Sequence, residues 1–183
     1  MQHDNTIQED LVLQARNGDP NARAGLYRLY VKAMYNTCIR ITGSKTAAED
    51  ALQDAFIYAF EHLGDIKNPA AFGGWLRKIV VGKAIRTGKT AFTWDELDDA
   101  HHHRPAEEEP DWWTGISMEA VHEAIKTLPD GCRQVFSLYV FEDFGHKEIA
   151  DSMGISESTS KSQYQRARKL LRERLTKKIV QHG

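Results

Sequence analysis

Between residues 93 and 115 the chain reads TWDELDDAHHHRPAEEEPDWWTG, and there it loses every hydrophobic period that the rest of the sequence keeps. Two prolines, two runs of acidic residues and three consecutive histidines give no amphipathic face to bury, so the stretch is expected to be a linker over roughly 91–115. A break of that kind near the middle of 183 residues forces the two flanks to fold around separate cores. Domains are therefore expected at 1–90 and 116–183.

On both sides the apolar spacing is helical, and no alternating run of useful length argues for a strand. A short helix around IQEDLVLQARNG comes first. Asp19-Pro20 then supplies an N-cap and an N1 proline, and Gly43 closes a long helix whose buried face is expected to carry Ala24, Tyr27, Tyr30, Met34, Cys38 and Ile41. Thr46-Ala-Ala-Glu49 has the form of a capping box opening the next helix, with Leu52, Phe56, Ala59 and Leu63 inward. After Asn68-Pro69 a third segment places Phe72, Trp75, Leu76, Ile79 and Val80 on one face, and Trp75 is expected in the core. The fold class is all-α: two small helical domains joined by a flexible acidic tether.

The net charge of −2 hides a block structure. Residues 1–66 sum to −3, 67–90 to +6 with no acidic group at all, 91–125 to −9, and 126–183 to +4. Two basic blocks separated by an acidic one point to two contacts with a polyanion. The acidic surplus of the tether is also what a DNA mimic covering those blocks would carry.

Beyond the tether, SMEAVHEAIKTL stops at Leu128-Pro129 and the chain restarts from Asp130. In HKEIADSMGISESTSKSQYQRARKLLRERL, Ile149, Ala150 and Met153 form a short apolar face, Gly154 allows a sharp turn, and Ser156 caps a longer helix whose Tyr164, Ala167 and Leu171 point inward. This is the helix-turn-helix pattern. Serine and threonine weaken a helix unless their hydroxyls are used elsewhere, and a groove-facing first turn uses them. Ser158, Thr159 and Ser162 are expected to approach DNA closely and Gln163 to read a base edge, with Lys147, Lys161, Arg166 and Lys169 at the phosphates.

Other chemistry finds little purchase. Cys38 and Cys132 lie far apart among apolar helical residues and read as small buried hydrophobes. His101-His102-His103 is too tight to place three ring nitrogens around one ion, so no metal and no cofactor is expected. No glycine-rich phosphate loop or nucleophile–base pattern suggests an enzyme or a small-molecule substrate. No apolar run is long enough for direct membrane insertion, and the start lacks a signal peptide's basic and apolar parts, so a cytoplasmic protein is expected.

LPDGCRQVFSLYVFEDFGHKEIADSMGISESTSKSQYQRARKLLRERL, together with AEDALQDAFIYAFEHL and AFGGWLRKIV upstream, resembles bacterial RNA polymerase sigma factors of the sigma-70 family, extracytoplasmic-function subfamily. The resemblance implies that residues 1–90 form the family's region 2, binding core RNA polymerase and the promoter's minus-10 element. Residues 116–183 would form region 4, reading the minus-35 element. It assigns Asp50, Gln53, Asp54 and Ile57 to polymerase docking, and Arg77, Lys78, Lys83, Arg86 and Lys89 to minus-10 DNA. An anti-sigma factor is implied as a further partner. The sequence departs from the family pattern at Gly82, Arg86 and Ser160, where many relatives carry asparagine, aspartate and valine. The rival reading is a stand-alone helix-turn-helix regulator whose first domain senses a ligand or dimerises.

Overall fold

The computed structural model describes the backbone of residues 2–90 and 116–181, and side chains over 7–88 and 116–176. The tether, with His101–His103, lies outside the described residues, as does the side chain of Lys89. The chain divides after Thr90 into two compact units.

In the first unit α1 (Gln2–Arg16), α2 (Pro20–Thr42), α3 (Lys45–Glu61) and α4 (Phe72–Thr90) are all helical. Helices α2, α3 and α4 pack on one another, and α1 lies against α2. The inward side of α3 is largely alanine, with Ala48, Ala51, Ala55 and Ala59 fully buried. Such small side chains bring neighbouring helix axes close and leave the volume of the core to Leu26, Ile41, Phe72 and Leu76. Asp19 accepts from Asn21 N–H at 2.8 Å and Pro20 follows it, as the cap signal predicts.

Two local expectations are corrected. The second half of helix α2 buries Met34, Cys38 and Ile41 as expected, but its first half differs: Leu26 is fully buried while Tyr27 is 43% exposed. A tyrosine keeps its hydroxyl wet, so the wholly apolar leucine takes the interior and Tyr27 rests its ring on Phe56 at 4.8 Å. The capping box at Thr46–Glu49 does not form either. Gly43 ends α2 in the left-handed conformation (φ 68°), which leaves Ser44 as the one extended residue before α3, and its Oγ accepts from Ala47 N–H at 3.4 Å.

The connection from α3 to α4 is two single turns of 3-10 helix, Leu63–Asp65 and Pro69–Ala71. It is held from α1: Arg16 donates to the carbonyls of Leu63 (3.2 Å) and Ile66, and Gln8 donates to that of Ala70 at 3.3 Å. In α4, a methyl group added at Gly82 would meet open space. Gly82→Ala should raise the stability of this unit by about 0.5–1 kcal/mol, since only the glycine's backbone entropy is removed. A melting temperature that stays put or falls would contradict this.

The second unit contains α5 (Met118–Lys126), α6 (Asp130–Phe141), α7 (His146–Met153) and α8 (Glu157–Gln181). Helix α8 packs on each of the other three. Ile125, Leu128, Cys132, Phe136, Ala167, Leu171 and Leu175 make its core. Arg174 on α8 donates to Thr127 Oγ1 at 2.7 Å, fastening the far end of α8 to the end of α5. Gly154 turns the chain at φ 67°, and Ser156 Oγ accepts from Thr159 N–H at 3.0 Å to open α8. The short helix, three-residue turn and long helix expected from the sequence are all present. Both cysteines are buried thiols.

Candidate nucleic-acid and protein-docking surfaces

The five hydroxyls at the start of α8 have different tasks. Ser156 is the cap, and its oxygen also lies 2.7 Å from those of Ser158 and Thr159. Ser162 donates to the carbonyl of Thr159 at 2.9 Å. These bonds tie the hydroxyls locally and let the first turn hold its shape, with Ser158 and Ser162 exposed and Thr159 half-buried. Ser160 points the other way, fully buried, with its Oγ 2.9 Å from His146 Nδ1.

Gln163 does not join the exposed set. It is 7% exposed and its Oε1 accepts from the Cys132 thiol at 3.0 Å. The reason is register: Gln163 lies four residues before Ala167, on the stripe that Ser160, Ala167 and Leu171 bury. The expected base contact from Gln163 is therefore withdrawn. Gln165, two positions on, is exposed and presents the amide expected of Gln163.

Around this turn Lys147, Lys161, Arg166, Lys169 and Arg172 are all exposed. Lys161 pairs with Glu157 one turn back at 2.7 Å, which holds the Glu157 carboxyl below its ordinary range. The imidazole of His146 is held below the usual histidine range, first by burial and then by the Lys161 charge, with Glu157 opposing. It therefore stays neutral at physiological pH.

The basic residues of α4 divide by face. Lys78 and Arg86 are exposed, whereas Arg77 and Lys83 are half-buried on the helix flanks. Trp75 is half-buried, not a core residue, and lies 6.1 Å from Phe72 between ring centres. Lys83 Nζ lies 5.4 Å over the ring of Tyr58 on α3, which itself stacks on His62 at 3.9 Å. Tyr58 is not marked by any sequence motif, although its position four residues after Asp54 puts it beside the acidic stripe.

That stripe is continuous. Asp50, Gln53, Asp54 and Ile57 lie on one exposed face of α3, and Ile57 is 49% exposed among carboxylates. Among the described residues no cluster of three or more His, Cys, Asp or Glu side chains could hold a metal ion, and no helix is long and apolar enough to cross a membrane.

Described residues that fold into helices alone, with a basic helix closing one unit and a helix-turn-helix closing the other, define a DNA-binding protein of two units. Comparison with known proteins narrows the class. Residues 26–89 match the family model for sigma-70 region 2, and residues 118–171 match that for sigma-70 region 4. The ECF RNA polymerase sigma factor SigW of Bacillus subtilis is 27% identical over 90% of this chain and 94% of its own length. A Xanthomonas campestris protein named "Probable RNA polymerase sigma factor RfaY" is 28% identical over 87% of this chain, which spans only 44% of that longer relative. A crystal structure of the sigma factor RpoE in complex with the anti-sigma factor NepR from Bartonella quintana is similar at 20% identity. It covers 84% of this chain and 96% of that one, with a TM-score of 0.48. The chain belongs to the sigma-70 family of RNA polymerase sigma factors, which are DNA-binding transcription initiation factors, and to its extracytoplasmic-function subfamily.

Proposed function

We propose that this sigma factor docks on core RNA polymerase through the exposed stripe of α3 and directs it to promoters by two DNA contacts. Region 2 spans residues 1–90 and region 4 spans 116–183, with the acidic tether between them. The observation that carries the reading is the exposure of Ile57 inside Asp50, Gln53 and Asp54, since an apolar side chain ringed by polar groups suits a protein interface.

The minus-10 contact falls to α4. Lys78 and Arg86 meet the phosphates, and Arg77, Lys83 and Lys89 add to a positive groove that holds the displaced strand. The minus-35 contact falls to α8. Ser158, Thr159, Ser162 and Gln165 face base edges there, while Lys147, Lys161, Arg166 and Lys169 neutralise phosphates. Membership of the subfamily supports an anti-sigma factor as the partner that covers these faces when transcription is off. The protein acts in the cytosol, adds no catalytic group of its own and takes no cofactor.

Co-elution with sigma-free bacterial core RNA polymerase on gel filtration tests the docking face, with Asp54→Arg as the control. Wild-type protein should co-elute, and the variant should bind about ten-fold or more weakly because a cation replaces a carboxylate in the contact. If neither binds while the protein alone shifts specific duplex DNA, a stand-alone regulator is the correct reading.

A further inference from the structure

His146 and Ser160 make none of the DNA contacts proposed above, yet they join the two helices of the turn. His146 opens α7 and Ser160 closes the first turn of α8, 14 residues later, and the bond between Nδ1 and Oγ is 2.9 Å. Ser160 is wholly shielded from water, so His146 is the side chain that satisfies its hydroxyl. The imidazole lies nearly flat on Tyr139 of α6, at 4.7 Å and 20°, and edge-on to Tyr164 of α8 at 5.7 Å. The two tyrosines meet at 4.6 Å. Rings from α6 and α7 therefore pack on Tyr164 of α8, and a directional bond beside them constrains the rotation of that helix.

Rotation matters there because of leverage. Side-chain tips stand roughly 5–6 Å from a helix axis, so a turn of about 20° moves them by about 2 Å. A hydrogen bond to a base edge does not survive that displacement. A phosphate contact from a long lysine or arginine does, since the flexible stem follows.

We propose that His146 is a positioning residue: by holding Ser160 it sets the rotation of α8, so that Ser158, Ser162 and Gln165 present to the bases together. It thus governs discrimination at the upstream element and leaves the strength of phosphate attachment alone. The inference rests on the minus-35 role proposed for α8.

The test uses the full chain assembled with core RNA polymerase, on a promoter mapped by sequencing the wild-type run-off transcripts. The readout is the ratio of binding to that promoter over binding to the same DNA with its minus-35 element scrambled. Ser160→Ala and His146→Leu should each lower the ratio about five-fold, the scale of one net hydrogen bond. The double variant should fall no further than either single one, because both remove the same bond. His146→Asn, which keeps a polar atom near the Nδ1 position, should stay within two-fold of wild type. The salt dependence of binding should be the same for all four.

A Ser160→Ala ratio within two-fold of wild type overturns the proposal, as does an additive loss in the double variant. A fall in the salt dependence would assign the pair to phosphate attachment and overturns it too. A wild-type ratio of one, with polymerase binding intact, would instead overturn the minus-35 role itself, which separates the two failures.

Discussion

Leu171→Ala should unfold the second unit while the first stays folded. Leu171 is wholly buried in the cluster of Ala124, Ile125, Leu128, Cys132, Phe136, Ala167 and Leu175, where three helices converge on α8. Truncating a leucine so placed removes its transfer energy and leaves a cavity, at a cost of about 3–4 kcal/mol. A unit of this size holds roughly 3–10 kcal/mol in all, so the loss takes between about a third and the whole of its margin. Hydrogen exchange read segment by segment is the suitable measurement. Protection should collapse over 116–176 and persist over 7–88, because the two units bury separate cores. Collapse in both segments would show that they unfold as one body and would contradict the separation. The functional consequence is graded: the α3 stripe proposed for docking survives, so the variant should still bind polymerase while losing the proposed upstream contact.

Helix existence was legible because each helix carries a repeat of apolar residues that no strand could use, and because its ends are marked by residues with one mechanical purpose. Asp19-Pro20, Gly43 and Gly154 each act as the residue type predicts. What failed was choice among residues that satisfy the same rule. Leu26 and Tyr27 are neighbours and either could lead an apolar stripe, and the tyrosine hydroxyl decides between them through solvation, which a two-letter apolar pattern does not record. Ser44 and Thr46 are both good caps, and the position of Gly43 decides, since the left-handed turn leaves room for one extended residue only.

The exposed stripe on α3 was legible for a simpler reason: four side chains at 50, 53, 54 and 57 fall on one helical face whatever their partners are. Helix α8 was harder. Polar residues occupy both its faces, so polarity alone could not separate Gln163, bonded to Cys132, from Gln165, which is exposed. Extending the Tyr164–Ala167–Leu171 stripe back by one turn reaches Ser160 and Gln163, and that extension was the available signal. Tyr58 went unread because its value depends on Lys83, which comes from another helix 25 positions on.

Reversing Arg166 and Lys169 together to glutamate should weaken binding of the polymerase complex to minus-35 DNA by about 100-fold at low salt, at roughly ten-fold for each lost phosphate contact. The two lie on the exposed face of α8 beyond the hydroxyl turn. Lys161 is a different case, because its ammonium already pairs with Glu157 at 2.7 Å and its release must be offset on binding DNA. Lys161→Ala should therefore cost less than Lys169→Ala. The salt slope is the sharper readout. Each neutralised phosphate contributes about 0.9 to the slope of log affinity against log salt, so the double reversal should flatten it by about 1.8. Preference for the intact over the scrambled element should hold, since Ser158, Ser162 and Gln165 are untouched. An unchanged slope would place Arg166 and Lys169 away from the phosphates. The variants at His146 and Ser160 move the other quantity, preference without slope, and so the two sets of substitutions separate attachment to DNA from the reading of it on a single helix.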